Sequence, residues 1–252
     1  MRIPADLLTE ALRIAHLQTI PDLGTGSRSN GPSNEVLERL SPILADGELD
    51  PVALELLRVV NQASLMVAID LSYLSDSSVP TIWATPREAV VSSSLDPDCI
   101  ELRPVPVSQL PQVLAQLIVL RSPTFIGDAP ITVSDRIVAE ATAADGREAA
   151  VEVLTGGGLD ADQAVLALDL QRPDVRRWRI SSTWSTDGGP EMAELQGLDA
   201  GPSGQWLMTS TGPDESNPQI TYVPQGHGEV MSSFRSVLPR NWMGTPLNRP
   251  PT

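Results

Sequence analysis

The chain has 252 residues, and 32 acidic side chains against 17 basic ones leave a formal charge of −15. That charge repels phosphate backbones and anionic lipid, so nucleic-acid and membrane-surface binding are disfavoured. Every basic residue is arginine. Without a lysine amine, Walker-type nucleotide binding and Schiff-base chemistry fall away, and the single Cys99 leaves no internal disulfide or Cys-based zinc site.

The N-terminal stretch MRIPADLLTEAL has no apolar run like a signal-peptide core. The longest apolar stretches reach about eight residues, far short of the ~20 that span a bilayer. A soluble, cytoplasmic chain is expected. A helix is predicted over 4–17, followed by a Gly/Ser/Asn-rich loop over 22–33. A second helix is predicted over 33–44, where Val36, Leu37, Leu40, Ile43 and Leu44 keep helical spacing. Asp50 then stands where a side-chain oxygen caps a helix, with Pro51 at its first position. Val52, Ala53, Leu56, Leu57 and Val60 give that helix its apolar face. Strict alternation at Leu65, Val67, Ile69, Leu71 and Tyr73 predicts a strand. Shorter strands are expected at 80–85, 88–93 and 99–104. Ser108 is read as the cap of a helix striped by Leu110, Val113, Leu114, Leu117 and Ile118.

The same order returns in the second half. A helix is predicted over 146–155. Asp160 caps the next one, with Gln163 as its capping-box partner and Ala161, Ala164, Val165 and Leu168 as its apolar face. Strands follow near 174–184, 191–198, 205–211 and 219–224, and Val230, Phe234, Val237 and Leu238 mark a closing helix. Gly47-Glu48-Leu49-Asp50 also has an echo in Gly157-Gly158-Leu159-Asp160, as Ile100–Pro104 has in Ile220–Pro224. Short gaps between strands mean antiparallel hairpins. The expected fold is therefore α+β: two duplicated α-α-β-β-β-β-α halves about a pseudo-two-fold axis, sharing a largely antiparallel central sheet flanked by helical bundles. The first half is placed at 1–121 and the second at 134–239, with 122–133 connecting them. Residues 240–252 are read as a disordered tail.

Catalytic chemistry is hard to find. His16 and His227 are the only histidines, with no H-E-x-x-H spacing and no G-x-S-x-G elbow. The segment Gly24–Gly31 resembles a phosphate loop in composition only. Asp46, Glu48 and Asp50 lack the remainder of a calcium loop. No catalytic residue, cofactor or metal is expected. The aromatics say more. Trp178 and Trp184 share one strand face with Ile180, and Arg177 and Arg179 share the other. Trp206 and Met208 lie on a later strand. Tryptophan and arginine are both enriched at binding hot spots. Arg177, Trp178, Arg179, Trp184, Trp206 and Met208 are thus the candidate partner-binding residues. Residues on opposite faces of a strand cannot all meet one partner, so some of the six must be structural.

Several segments together resemble the EspG family, the cytosolic chaperones of mycobacterial type VII (ESX) secretion. They are Gly47-Glu48-Leu49-Asp50-Pro51, CIELRPVPVSQLPQVLAQLI (99–118), RPDVRRWRIS (172–181), SGQWLMTSTGPDE (203–215) and ITYVPQGHGEVMSSFRSVLP (220–239). The resemblance implies a binding function: holding the exposed tip of the PPE subunit of a PE–PPE heterodimer, and so keeping the pair soluble for secretion. The alternative is a non-catalytic scaffold of the same fold without PE–PPE clients. An exposed edge strand would also allow two copies to pair as a weak homodimer.

Overall fold

A computed structural model describes residues 1–19, 34–46, 48–73, 76–96, 98–120, 129–211 and 218–242. The chain opens with a short strand, β1 (Arg2–Pro4), a 3-10 turn and helix α1 (Leu8–Thr19). Helix α2 (Asn34–Leu40) follows. It is shorter than predicted: Pro42 lies in a 3-10 turn over Ser41–Ile43, and the small hairpin β2 (Leu44–Ala45) and β3 (Glu48–Leu49) comes next. The predicted loop at 22–33 lies outside the described residues.

Helix α3 (Pro51–Asn61) starts where its cap requires. The Asp50 carboxylate accepts the Val52 and Ala53 N–H groups at 2.9 and 3.0 Å. Ala53, Leu56, Leu57, Val59 and Val60 are buried, whereas Val52, expected on that face, points outward. The first half continues through β4 (Leu65–Tyr73), β5 (Asp76–Ser78), β6 (Thr81–Ala84), β7 (Glu88–Asp96), β8 (Cys99–Pro106) and α4 (Leu110–Leu117). Ser108 does not cap α4. It sits in a 3-10 turn over Val107–Gln109, and the cap residue, Gln109, makes no side-chain capping bond.

The second half begins at β9 (Ile131–Ser134), ahead of the expected boundary at 134. Helix α5 (Asp135–Thr142), which the sequence reading passed over, follows at once. It is only eight residues long and is capped by Ser134, whose hydroxyl accepts the Arg136 N–H at 3.3 Å. Then come α6 (Arg147–Gly156) and α7 (Ala161–Leu170). Asp160 and Gln163 form the predicted capping box. Ala164, Ala167 and Leu170 face inward, while Val165 is 38% exposed. Strands β10 (Arg176–Thr186), β11 (Gly189–Asp199), β12 (Gln205–Ser210) and β13 (Gln219–Gln225) precede α8 (His227–Ser233). Arg240–Trp242, expected in the tail, form a 3-10 turn with Trp242 packed against the core. Residues 243–252 lie outside the described residues.

Among the described residues one large sheet runs β1-β8-β7-β6-β4-β10-β11-β12-β13-β9, with β5 paired to β4 and every pairing antiparallel. The order reads alike from either edge. β4 answers to β10, β6 to β11, β7 to β12, β8 to β13 and β1 to β9. The repeated unit is therefore β-α-α-α-β-β-β-β-α. The helix at the N-terminus, which looked like an addition to the duplicated unit, has its counterpart in α5. At the junction of the halves Ile69 pairs with Ile180, and both are fully buried.

Pairing register assigns the two sheet faces. Leu65, Val67 and Ile69 of β4 and Trp178 and Ile180 of β10 face α4, α8 and the turn after α8, where Leu110, Leu114, Phe234 and Val237 complete a central core. The opposite face carries two further cores. α1, α2 and α3 cover β6, β7 and β8 through Val90, Leu102 and Trp83. α5, α6 and α7 cover the second half through Leu198, Trp206 and Tyr222.

Candidate partner-binding face

Two helical bundles share one face of the sheet, and the strip of sheet between them carries exposed side chains. The strip is built from alternation. On β4 the residues opposite the core are Met66, Ala68, Asp70 and Ser72, and on β10 they are Arg177, Arg179, Ser181 and Thr183. On β11 they are Met192, Glu194 and Gln196. Ladder register lines these up in rows. One row is apolar at intervals: Trp83, Met66, Thr183 and Met192, on β6, β4, β10 and β11. Met66 is 47% exposed and Met192 79%. A neighbouring row is polar: Asp70, Arg179 and Gln196. The Arg179 guanidinium donates to the Asp70 carboxylate at 3.0 Å. Both side chains are about half exposed, so the pair adds little to stability but fixes the charge pattern of the strip.

The six residues expected from sequence separate by face and depth. Trp178 is 3% exposed and lies in the central core, on the far side of the sheet from Arg177 and Arg179. Trp184 is half-buried against that same core. Trp206 is 1% exposed beneath the α5–α7 bundle, where its indole N–H donates to the Ser203 carbonyl at 2.7 Å. Met208 is half-buried at the edge of that bundle's core. Arg177 is half-buried, and its guanidinium donates to the Leu170 carbonyl at 2.8 Å, tying β10 to the end of α7. Only Arg179 is fully on the open strip. Trp178 and Trp206 are structural side chains, since a buried indole has no surface to offer a partner.

Met66 and Met192 were missed. The signal for them was present in the alternation: each is an apolar residue in a strand register whose neighbours, Asp70 and Ser72 or Glu194 and Gln196, are polar. A methionine in such a register faces the strip, and methionine adapts to irregular partners.

No group of three or more His, Cys, Asp or Glu side chains is placed to hold a metal ion among the described residues. His227 is exposed at the first position of α8. Among the described residues, burial is the leading influence on the Tyr222 hydroxyl. Desolvation pushes its hydroxyl above the ordinary tyrosine range, opposed by the Gln171 amide that donates to it. This contact joins the end of α7 to β13 and is architectural. No described helix is long and apolar enough to cross a membrane.

No family model matches the chain, and neither does any curated protein. Solved structures do. The likeness is one of fold, a mixed α+β architecture around a large antiparallel sheet. One matching structure is the Mycobacterium tuberculosis type VII secretion system chaperone EspG5 in complex with a PE25–PPE41 dimer. The TM-score is 0.61 and the identity 13%, over 94% of this chain and 95% of that one.

Proposed function

We propose that this protein is a cytoplasmic chaperone that binds PE–PPE heterodimers through the tip of the PPE subunit and presents them for type VII secretion. The observation that carries the proposal is the open strip between the bundles, with Met66 and Met192 exposed on it. Likeness to EspG5 over nearly the whole chain supports the same reading. A substrate with an exposed apolar tip aggregates unless that patch is covered. The strip offers methionine for the apolar contact, with Asp70, Arg179 and Glu194 alongside to reject partners of the wrong charge. The surplus negative charge of the chain keeps a chaperone–client complex in solution.

Within this reading the halves 1–121 and 134–239 act as one unit, because the strip is built from β4 and β6 of the first and β10 and β11 of the second. The binding set narrows to Arg179, Met66 and Met192, with Arg177 and Met208 at the rim and Trp184 outside it.

The test is co-expression with PE–PPE pairs encoded near this gene, followed by size-exclusion chromatography with light scattering. An equimolar ternary complex is expected from the natural chain. Met66→Glu with Met192→Glu should weaken it by about tenfold or more, in line with loss of central interface contacts, while the melting temperature stays within a few degrees. If no neighbouring pair binds, or the double variant binds as well as the natural chain, the proposal is wrong.

A further inference from the structure

A cleft of ≈ 870 Å³ lies between the β10–β11 hairpin and the turns that follow α8. Its floor includes Trp184 of β10 and Trp242 of the closing 3-10 turn. Both indoles pack against the central core and are half-buried. One wall carries Arg235 and Arg240, both exposed. The ion pairs among the described residues include neither of them. Asp187 and Glu191, on the β10–β11 hairpin, also line the cleft.

We infer that this cleft binds a short acidic segment of a partner protein, carrying an aromatic or aliphatic anchor between carboxylates. The indoles and the arginine wall carry the complementary chemistry. Two flat indoles accept an apolar or aromatic side chain, and aromatic pairs gain beyond the area they bury. Two guanidiniums that enter none of the ion pairs among the described residues donate charge-assisted hydrogen bonds to carboxylates. Asp187 and Glu191 repel those carboxylates and so direct them to the arginine wall, which sets the orientation of the bound segment. The volume suits a few side chains. Met192 of the open strip also lines the cleft, so the two sites adjoin at the β10–β11 hairpin, and a variant at the arginine wall, which leaves the strip unchanged, separates them.

The experiment uses the full chain and a fluorescein-labelled hexapeptide, Asp-Asp-Leu-Tyr-Asp-Asp, followed by anisotropy. Controls are Lys-Lys-Leu-Tyr-Lys-Lys and Asp-Asp-Ser-Gly-Asp-Asp. Saturable binding is expected for the first peptide only, weakening as salt screens the arginines. Arg235→Glu with Arg240→Glu should lower affinity at least about tenfold, the size of one charge-assisted contact or more. These two positions are exposed, so the variant is expected to melt with the natural chain. Trp242→Ala should lower it as well, and circular dichroism reports whether each variant is folded. The inference fails if none of the peptides binds or all bind alike, or if the charge-reversed variant, still folded, binds unchanged. It fails too if binding appears only after residues 243–252 are removed, which would make the end of this chain the occupant.

Discussion

A Cβ atom on Gly197 would stand 2.3 Å from Trp178 Cζ2, closer than any real contact allows. The two residues face each other across the β10–β11 ladder, and the indole lies over the glycine because no side chain is there. Trp178 then meets Phe234 edge-on, with ring centroids 6.2 Å apart and planes at 66°. This anchors the turn after α8 to the centre of the sheet. Gly197→Val should therefore cost about 1–3 kcal/mol through forced repacking, read as a lower urea midpoint with an unchanged slope. An unchanged midpoint would mean that Trp178 moves aside freely. The Trp178 indole N–H is buried with no hydrogen-bond partner among the described residues, so shape rather than polar pairing holds the ring. The same contact places Trp178 in the core rather than on a surface. Composition marks tryptophan as a binding residue, but a glycine one strand away had already made its pocket.

At the scale of elements, the capped helices were the most legible parts of the chain. Asp50 and Asp160 stand at equivalent places in the two halves, and their side chains accept backbone N–H groups that the first turn leaves unpaired, those of Val52 and Ala53 at Asp50 and that of Gln163 at Asp160. Asp50→Ala and Asp160→Ala should each lower stability by about 1 kcal/mol. The double variant should lose the sum, since the two sites lie in separate bundles. Urea melts of the three variants check this, and a large excess over additivity would show the bundles to be coupled. Strands β4, β10 and β13 were legible for a related reason: alternation with period two states which face is buried. Short elements were not. α5 has eight residues with apolar Ile137, Val138 and Ala141, too few turns to stand out, and β1 and β9 have three and four residues. Both of those strands are edges, and their brevity limits pairing with a second copy.

At the scale of the molecule, β4 and β10 fuse the halves through an eight-residue register and a shared core beneath α4 and α8. Separating the halves would expose Ile69, Ile180 and Trp178 together, all now buried. Thermal unfolding should therefore be one cooperative transition, with calorimetric and van't Hoff enthalpies equal. Two resolved transitions would show the halves to be independent domains. The sequence by itself determined the class of fold, most of the strands, both Asp-capped helices and the duplication, because these follow from local periodicity and capping chemistry within about fifteen residues. Tertiary structure alone decided which side chains are available to a partner. Whether Met66, Arg179 or Trp206 meets solvent depends on which strip of sheet the bundles leave open. That is set by pairings between residues more than a hundred positions apart, such as Ile69 with Ile180, which no local pattern encodes.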